Sequence, residues 1–182
     1  MKVAVINANT MKSTIKILYG MGLMLLAFAC SPDEPGPIGE PANKVNQIRG
    51  TWEISRVVQV DLAAEQKGFP TIARTKDITN ALPGMSYAGA TFRFDATANG
   101  PGSFDIDKGN SPLMLPATGT WAFNDPQYPS AVVLTANGSN HELEIASFAQ
   151  AEAGVIVFKV VRSAPERGPY VRYEYYLNKV SE

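Results

Sequence analysis

Between Thr51 and Asp61 the even positions are Trp52, Ile54, Arg56, Val58 and Val60, while the odd ones are mostly polar. Successive side chains of a strand point to opposite faces, so this alternation predicts a strand with one buried side. The pattern recurs in Phe92 and Phe94, Phe104 and Ile106, Trp121 and Phe123, Val132 and Leu134, and Leu143 and Ile145. Val155 to Val161 is apolar on both faces, and Tyr170 to Val180 carries Tyr173, Tyr175 and Leu177 on one side, completing eight predicted strands. Asn99-Gly100-Pro101-Gly102 marks one turn. Asn137-Gly138-Ser139-Asn140 marks a hairpin, because Asn-Gly accepts the positive φ of a two-residue turn. Short connections make neighbouring strands antiparallel, and eight such strands without long crossovers close most simply into an up-and-down barrel. A two-sheet β-sandwich is the alternative.

Ahead of the first strand, Asn43 is placed to cap a short helix whose Val45 and Ile48 share one face, suited to plugging a barrel end. An eight-stranded barrel holds either its own side chains or one small ligand. The residues expected to fill the interior are Trp52, Phe92, Phe94, Trp121, Tyr173 and Tyr175, together with Phe104, Phe123 and Phe158. Large cargo is excluded. Because Val155 to Val161 is apolar on both faces, a helix or another protein is expected to cover the barrel there.

Gly50-Thr51-Trp52 directly after that helix, Lys67-Gly68-Phe69-Pro70, a helix-like stretch from Asp77 to Leu82 and the tyrosine-rich last strand carry a resemblance. Together they resemble a lipocalin-like domain family of bacterial lipoproteins with no assigned function, over about Val45 to Lys179. The resemblance implies an all-β, eight-stranded antiparallel barrel with a short N-terminal helix. The Thr-Asp-Tyr motif of the ligand-carrying lipocalins is missing, and Arg172 has outer parity, opposite Tyr173 and Tyr175.

In such a barrel the connections after the first and third strands emerge at the same end. The first, about Leu62 to Ser86, holds Phe69, Pro70, Ile72, Leu82 and Met85; the other holds Leu113, Met114 and Leu115. Long loops in compact domains are commonly lids or binding loops, and apolar residues in loops call for a partner. The two loops are expected to meet over one mouth, either as a working lid over a ligand or as a cork.

The segment upstream of the barrel concerns address rather than fold. Lys12 and Lys16 precede an apolar stretch from Ile17 to Ala29. It is shorter than the ~20 residues of a membrane span and matches a secretory leader. Residues 1–29 read as a lipoprotein signal peptide, with Met11 as the expected true start. Leu26-Ala27-Phe28-Ala29-Cys30 resembles the lipobox of bacterial lipoproteins, with Ala27 and Phe28 departing from the usual leucine and small residue. Cys30 is the only cysteine, and a free thiol in an exported chain would be a reactive liability. Lipidation of Cys30 is the reading preferred to an ordinary leader, with two or three acyl chains anchoring the protein firmly. Residues 30–41 carry four prolines and three acids after the cysteine and read as an extended tether reaching about 30 Å at ~3.1 Å per residue. Asp33-Glu34 resembles signals sending some Gram-negative lipoproteins to the outer face of the outer membrane; the competing reading is a solvated linker. Residues 42–182 form the barrel domain.

Removing the leader takes Lys2, Lys12 and Lys16 from 16 basic residues, leaving 13 against 17 acids, a net charge of −4. With no basic cluster, nucleic acid is not an expected partner. Catalysis is not expected either. His141 is the lone histidine and reads as a solvated turn residue, and no Cys/His pair or zinc cluster is available. Glu142 and Glu144, like Asp105 and Asp107, read as solvated rows. Asp105-Ile-Asp107-Lys-Gly109-Asn110 departs from calcium-loop spacing, and phosphate-cradling glycine motifs are missing, so no metal or cofactor is expected. Two functional readings follow. One is a membrane-anchored binder of a small apolar or amphipathic molecule at the barrel mouth. The other is a non-catalytic interaction module of an envelope or cell-surface complex, using the apolar seventh strand.

Overall fold

The computed structural model describes residues 43–181. In chain order its elements are α1 (Lys44–Ile48), β1 (Gly50–Asp61), α2 (Leu62–Gln66), α3 (Thr71–Arg74), β2 (Thr75–Asp77), β3 (Thr91–Thr97) and β4 (Gly100–Asp107). Then follow β5 (Thr118–Phe123), β6 (Ala131–Ala136), β7 (Ser139–Ile145), α4 (Phe148–Glu152), β8 (Val155–Ala164) and β9 (Gly168–Ser181). β1 and β3 to β9 pair antiparallel in sequence order, and β9 returns to pair with β1 from Thr51↔Ser181 to Asp61↔Val171. That last ladder closes an eight-stranded up-and-down barrel and excludes the two-sheet alternative. The hairpin at Asn137-Gly138 has the expected two positive φ angles, 50° and 75°.

One end of the barrel is shut. Asn43 caps α1, its side-chain oxygen accepting from the Val45 and Asn46 amides at 3.0 and 3.2 Å. The Trp52 indole then donates to the Ile48 carbonyl at 2.7 Å, tying the helix end to the first turn of β1. Lys179 on β9 stands over the Trp52 ring at 5.7 Å from its centroid, and Lys44 stands over Phe148 of α4 at 4.7 Å. From this end an aromatic ladder climbs inward: Phe148 to Phe123 at 5.9 Å, Phe123 to Trp121 at 5.5 Å, Trp121 to Phe94 at 5.6 Å, and Phe94 to Phe158 at 6.0 Å. These edge-to-face pairs fill the barrel with ring contacts instead of space. The Trp121 indole donates to the Asp95 carbonyl at 2.7 Å, beside the register shift between β3 and β4.

The alternation expected through β1 breaks at Ser55. Ile54 faces Leu177 of β9, but Arg56 faces Tyr176, so Ser55 is one extra residue, a bulge whose hydroxyl donates to the Tyr176 carbonyl at 3.1 Å. Beyond it the faces exchange. Val57 and Gln59 take the inward side opposite Tyr175 and Tyr173, while Arg56, Val58 and Val60 turn outward. Val58 and Val60 are nonetheless buried, because the segment from α2 to β2 lies over them.

The stretch from Asp77 to Leu82, expected to be helix-like, is not helical. Asp77 accepts from both the Thr79 amide, at 3.0 Å, and the Thr79 hydroxyl, at 2.6 Å. That local alternative competes with a helical turn, and Pro83-Gly84 follows. Thr79, the one buried polar side chain among the described residues, also accepts from the Val57 amide at 2.9 Å, satisfying a strand donor where the β3 ladder no longer reaches. Thr79→Val should leave that amide unpaired and cost about 1–3 kcal/mol in urea unfolding, whereas Thr79→Ser should recover most of the loss.

The same contact sets an acid limit. Hydrogen bonds from the Thr79 hydroxyl and amide, and then from Arg56, hold Asp77 down to about 2 from its ordinary 3.8. A depressed carboxylate stabilises the fold above its unfolded value and loses that contribution as pH falls through the folded one. Stability measured by urea unfolding should therefore drop between pH 4 and pH 2, and Asp77→Asn should flatten that part of the profile.

Candidate functional site

At the open end, the connection from β1 to β3 brings Tyr87 down beside β9, and the connection from β4 to β5 brings Pro112 and Met114 to the same rim. With Tyr173, Tyr175, Tyr170 and Arg162 they enclose a cavity of about 270 Å³. Tyr87 meets Tyr175 edge-on at 6.1 Å, and Tyr173 lies 6.4 Å from Tyr175. Tyr175 is only 4 % exposed, yet among the described residues its hydroxyl, like those of Tyr87 and Tyr173, has no hydrogen-bond partner. Burial, reinforced by the neighbouring tyrosine, pushes the Tyr175 hydroxyl well above its ordinary 10.0, and burial does the same to Tyr87. Both are neutral donors at physiological pH.

Hollows on the outside are chemically quieter. One of about 590 Å³ beside Ser55 and Asn80 is a shallow groove in which Arg56, Asp77 and Thr79 already bond to each other. Another, of about 240 Å³, lies over Val58 and Val60, where Arg172 forks onto Glu65 at 2.9 and 3.1 Å and reaches Glu174 at 3.0 Å. Arg74 adds a contact to Glu65 at 3.3 Å. The fork onto Arg172 lowers Glu65 from the usual carboxylate range. Every charge there has its counter-charge, so the network clasps α2 and α3 to the barrel wall. The mouth instead holds polar groups without partners.

The two loops do converge, but through Tyr87 and Met114. Leu113 and Leu115 turn into the hydrophobic core and cork the barrel beneath Met114, which is 75 % exposed. Phe69, Ile72, Leu82 and Met85 lie outside the cavity; Ile72 is 91 % exposed on α3, and Leu82 pairs with Met85 in a tight turn of its own. Trp52, Phe92, Phe94, Trp121 and Tyr175 are buried in the core cluster, with half-buried Tyr173 packed against it. On β8 the outward Val157 is buried beside Tyr176, while Val155 and Val161 are exposed and separated by Lys159, paired with Glu144 at 3.1 Å. No helix covers that face among the described residues. Cys30 and the residues before Asn43 lie outside the described residues.

Arg162 is the mouth residue that alternation could have found. Ile156, Phe158 and Val160 are buried in the core cluster, and two residues on, with the same parity, comes Arg162. His141 likewise has inward parity, in register with Leu134, and makes no hydrogen bond or ion pair with a described residue. The β7–β8 ladder consists of Glu144↔Lys159 and Ile145↔Phe158 and ends below both. Among the described residues no three His, Cys, Asp or Glu side chains come together as a metal site.

Comparison with protein-family models, curated proteins and solved structures finds no match to this chain.

Glu65→Ala should release α2 and α3 from the wall. Hydrogen exchange should quicken from Leu62 to Asp77 while the amides of Tyr173 and Tyr175 stay protected. Protection lost equally at the mouth would show that the insert does serve as its lid. Raised phenol values contribute stability that is fully present below the unfolded value of 10.0 and is lost as pH rises through the higher folded one. Spectrophotometric titration should find one tyrosine that ionises only as the barrel unfolds, and Tyr175→Phe should remove it.

Proposed function

We propose that this protein is a membrane-anchored, lipocalin-like lipoprotein that binds one small apolar or amphipathic molecule at the barrel mouth and catalyses nothing. The observation that carries the reading is the roughly 270 Å³ cavity walled by Tyr87, Met114, Tyr173 and Tyr175, whose hydroxyls find no partner within the described chain. Apolar walls with a few convergent polar groups are the usual composition of a ligand pocket. Its volume falls just below the ~300–1,000 Å³ of pockets for drug-sized molecules, so the cargo is a single ring or a short chain. The aromatic ladder beneath leaves no channel for anything longer.

Anchoring rests on the Cys30 motif and the acidic, proline-rich tether, which support an exported lipoprotein of a Gram-negative outer membrane. The rival reading, an envelope interaction module using the apolar strand β8, finds less support. Its exposed valines are divided by the Lys159–Glu144 pair and form no continuous patch.

Small aromatic and short-chain molecules should raise the melting temperature and perturb tyrosine fluorescence, with one site per chain by calorimetry. Tyr87→Ala and Tyr173→Ala should each weaken binding about tenfold, the loss of one ring contact and its buried area. A panel of such molecules that neither shifts melting nor binds would refute the ligand reading. Separately, Cys30→Ser should move the protein from the membrane to the soluble fraction, and its retention there would refute the anchor.

A further inference from the structure

We infer that the mouth selects a small organic monocarboxylate, with Arg162 receiving the carboxylate and the tyrosine rings receiving a short apolar or aromatic body. The inference rests on the mouth being a ligand site.

A guanidinium on the inward row of a barrel strand is an unusual expense. Ile156, Phe158 and Val160 precede Arg162 on that row, all buried in the core. Elsewhere on the barrel the largely covered arginines have found acids, Arg172 binding Glu65 and Glu174 and Arg74 binding Glu65, and even the exposed Arg56 and Arg93 pair with Asp77 and Asp95. Arg162 is partly buried and makes no ion pair or hydrogen bond with any described residue. No carboxylate lines its cavity. The local charge is therefore a single uncompensated cation, which repels a cationic ligand and attracts an anionic one.

The remaining donors agree with that sign. The hydroxyls of Tyr87, Tyr173 and Tyr175 make no hydrogen bond with a described residue, so they add donors to those of the guanidinium. An arginine fork matches the two oxygens of a carboxylate and gains most when solvent is partly excluded. Size and wall chemistry narrow the class further. A cavity of about 270 Å³ with ring walls suits an acid with one ring or a chain of a few carbons, whereas a phosphate or sulfate would forfeit its hydration against aromatic faces. The position of Arg162 near the end of β8, above the last β7–β8 pair, leaves the carboxylate at the rim and the apolar body inside.

The test is a set of calorimetric titrations of the purified chain with phenylpropanoate and hexanoate, their neutral counterparts phenylpropanamide and hexanol, and the cation phenylpropylamine. The acids should bind about ten- to a hundredfold tighter than the neutral molecules, the range expected of a charge-assisted fork, and the amine should bind most weakly. Arg162→Gln should abolish the preference for acids while leaving the neutral molecules bound as before, which also shows that the variant folds. Arg162→Lys should retain part of the preference, because a point charge keeps the attraction and loses the fork. Neutral molecules binding as tightly as acids, or an acid preference that survives Arg162→Gln, would overturn the inference and leave the mouth as a ligand site. Binding by none of these probes would overturn both.

Discussion

The single extra residue at Ser55 governs how the open half of this barrel is built. Below the bulge, β1 presents Trp52 and Ile54 to the core; above it the same strand presents Val57 and Gln59, and Val58 and Val60 look outward. Two valines facing water would forfeit ~1.5–3 kcal/mol each relative to burial. The chain after β1 therefore folds down over them, and the Arg172–Glu65 fork closes it in place. The same excursion supplies β2, Ile78 and Thr79 as substitute partners along the β1 edge where β3 is too short to reach. An insert that must cover the wall is not free to cover the mouth. Only its far end, Tyr87, arrives there.

The closed half obeys a different requirement. Both tryptophans follow a Gly-Thr step, and both spend their indole N–H on a carbonyl at a break in regular pairing: Ile48 at the end of α1, and Asp95 beside the β3–β4 shift. The glycines differ in purpose. Gly50 takes a φ of 120°, open to few other residues. Gly119 is in ordinary strand conformation but has no room, since a Cβ there would sit 2.8 Å from the Phe104 ring and collide with the Thr135 carbonyl. A motif that recurs in sequence thus recurs in structure as a way to seat a large ring beside a backbone irregularity. Satisfied indoles and edge-to-face rings make this half rigid and solid, which confines any vacancy to the other end.

Much of this was legible in the residues. Period-two alternation located seven of the barrel strands and a continuous apolar run the eighth, Asn43 announced the helix cap, Asn137-Gly138 announced the hairpin, and the inward aromatics follow from parity. What escaped was whatever parity alone cannot register. The bulge is invisible because valine occupies both faces beyond Ser55, so Trp52, Ile54, Val58 and Val60 read as one continuous row. Residues 77 to 82 have a helix-like composition, but Thr79 is committed to Asp77 and Val57 by contacts that composition does not register. Arg162 stands at the end of a strand that is apolar on both faces, so its inward side follows only once Ile156, Phe158 and Val160 are known to be the core row. Leu113 and Leu115 could be assigned to the right end of the barrel but not to its core, since their depth depends on how the loop bends at Pro112 and Met114.

Two of these omissions, Arg162 and the loop of Leu113 and Leu115, fall at the mouth, and that coincidence has physical content. A chain selected for stability alone would satisfy or delete the polar groups on an inward row, because an unpaired buried donor costs about 1–3 kcal/mol. In the closed half both indoles are bonded, and the one fully buried polar side-chain atom without a partner among the described residues is Gln47 Oε1 on α1. In the open half three tyrosine hydroxyls and one guanidinium converge on a single hollow, and nothing in the described chain answers them. Departures from local consistency concentrate where a protein does its work. The convergence of three tyrosine hydroxyls and a guanidinium on one hollow, more than the volume of the cavity, is what supports reading the tyrosine-lined mouth as a ligand site.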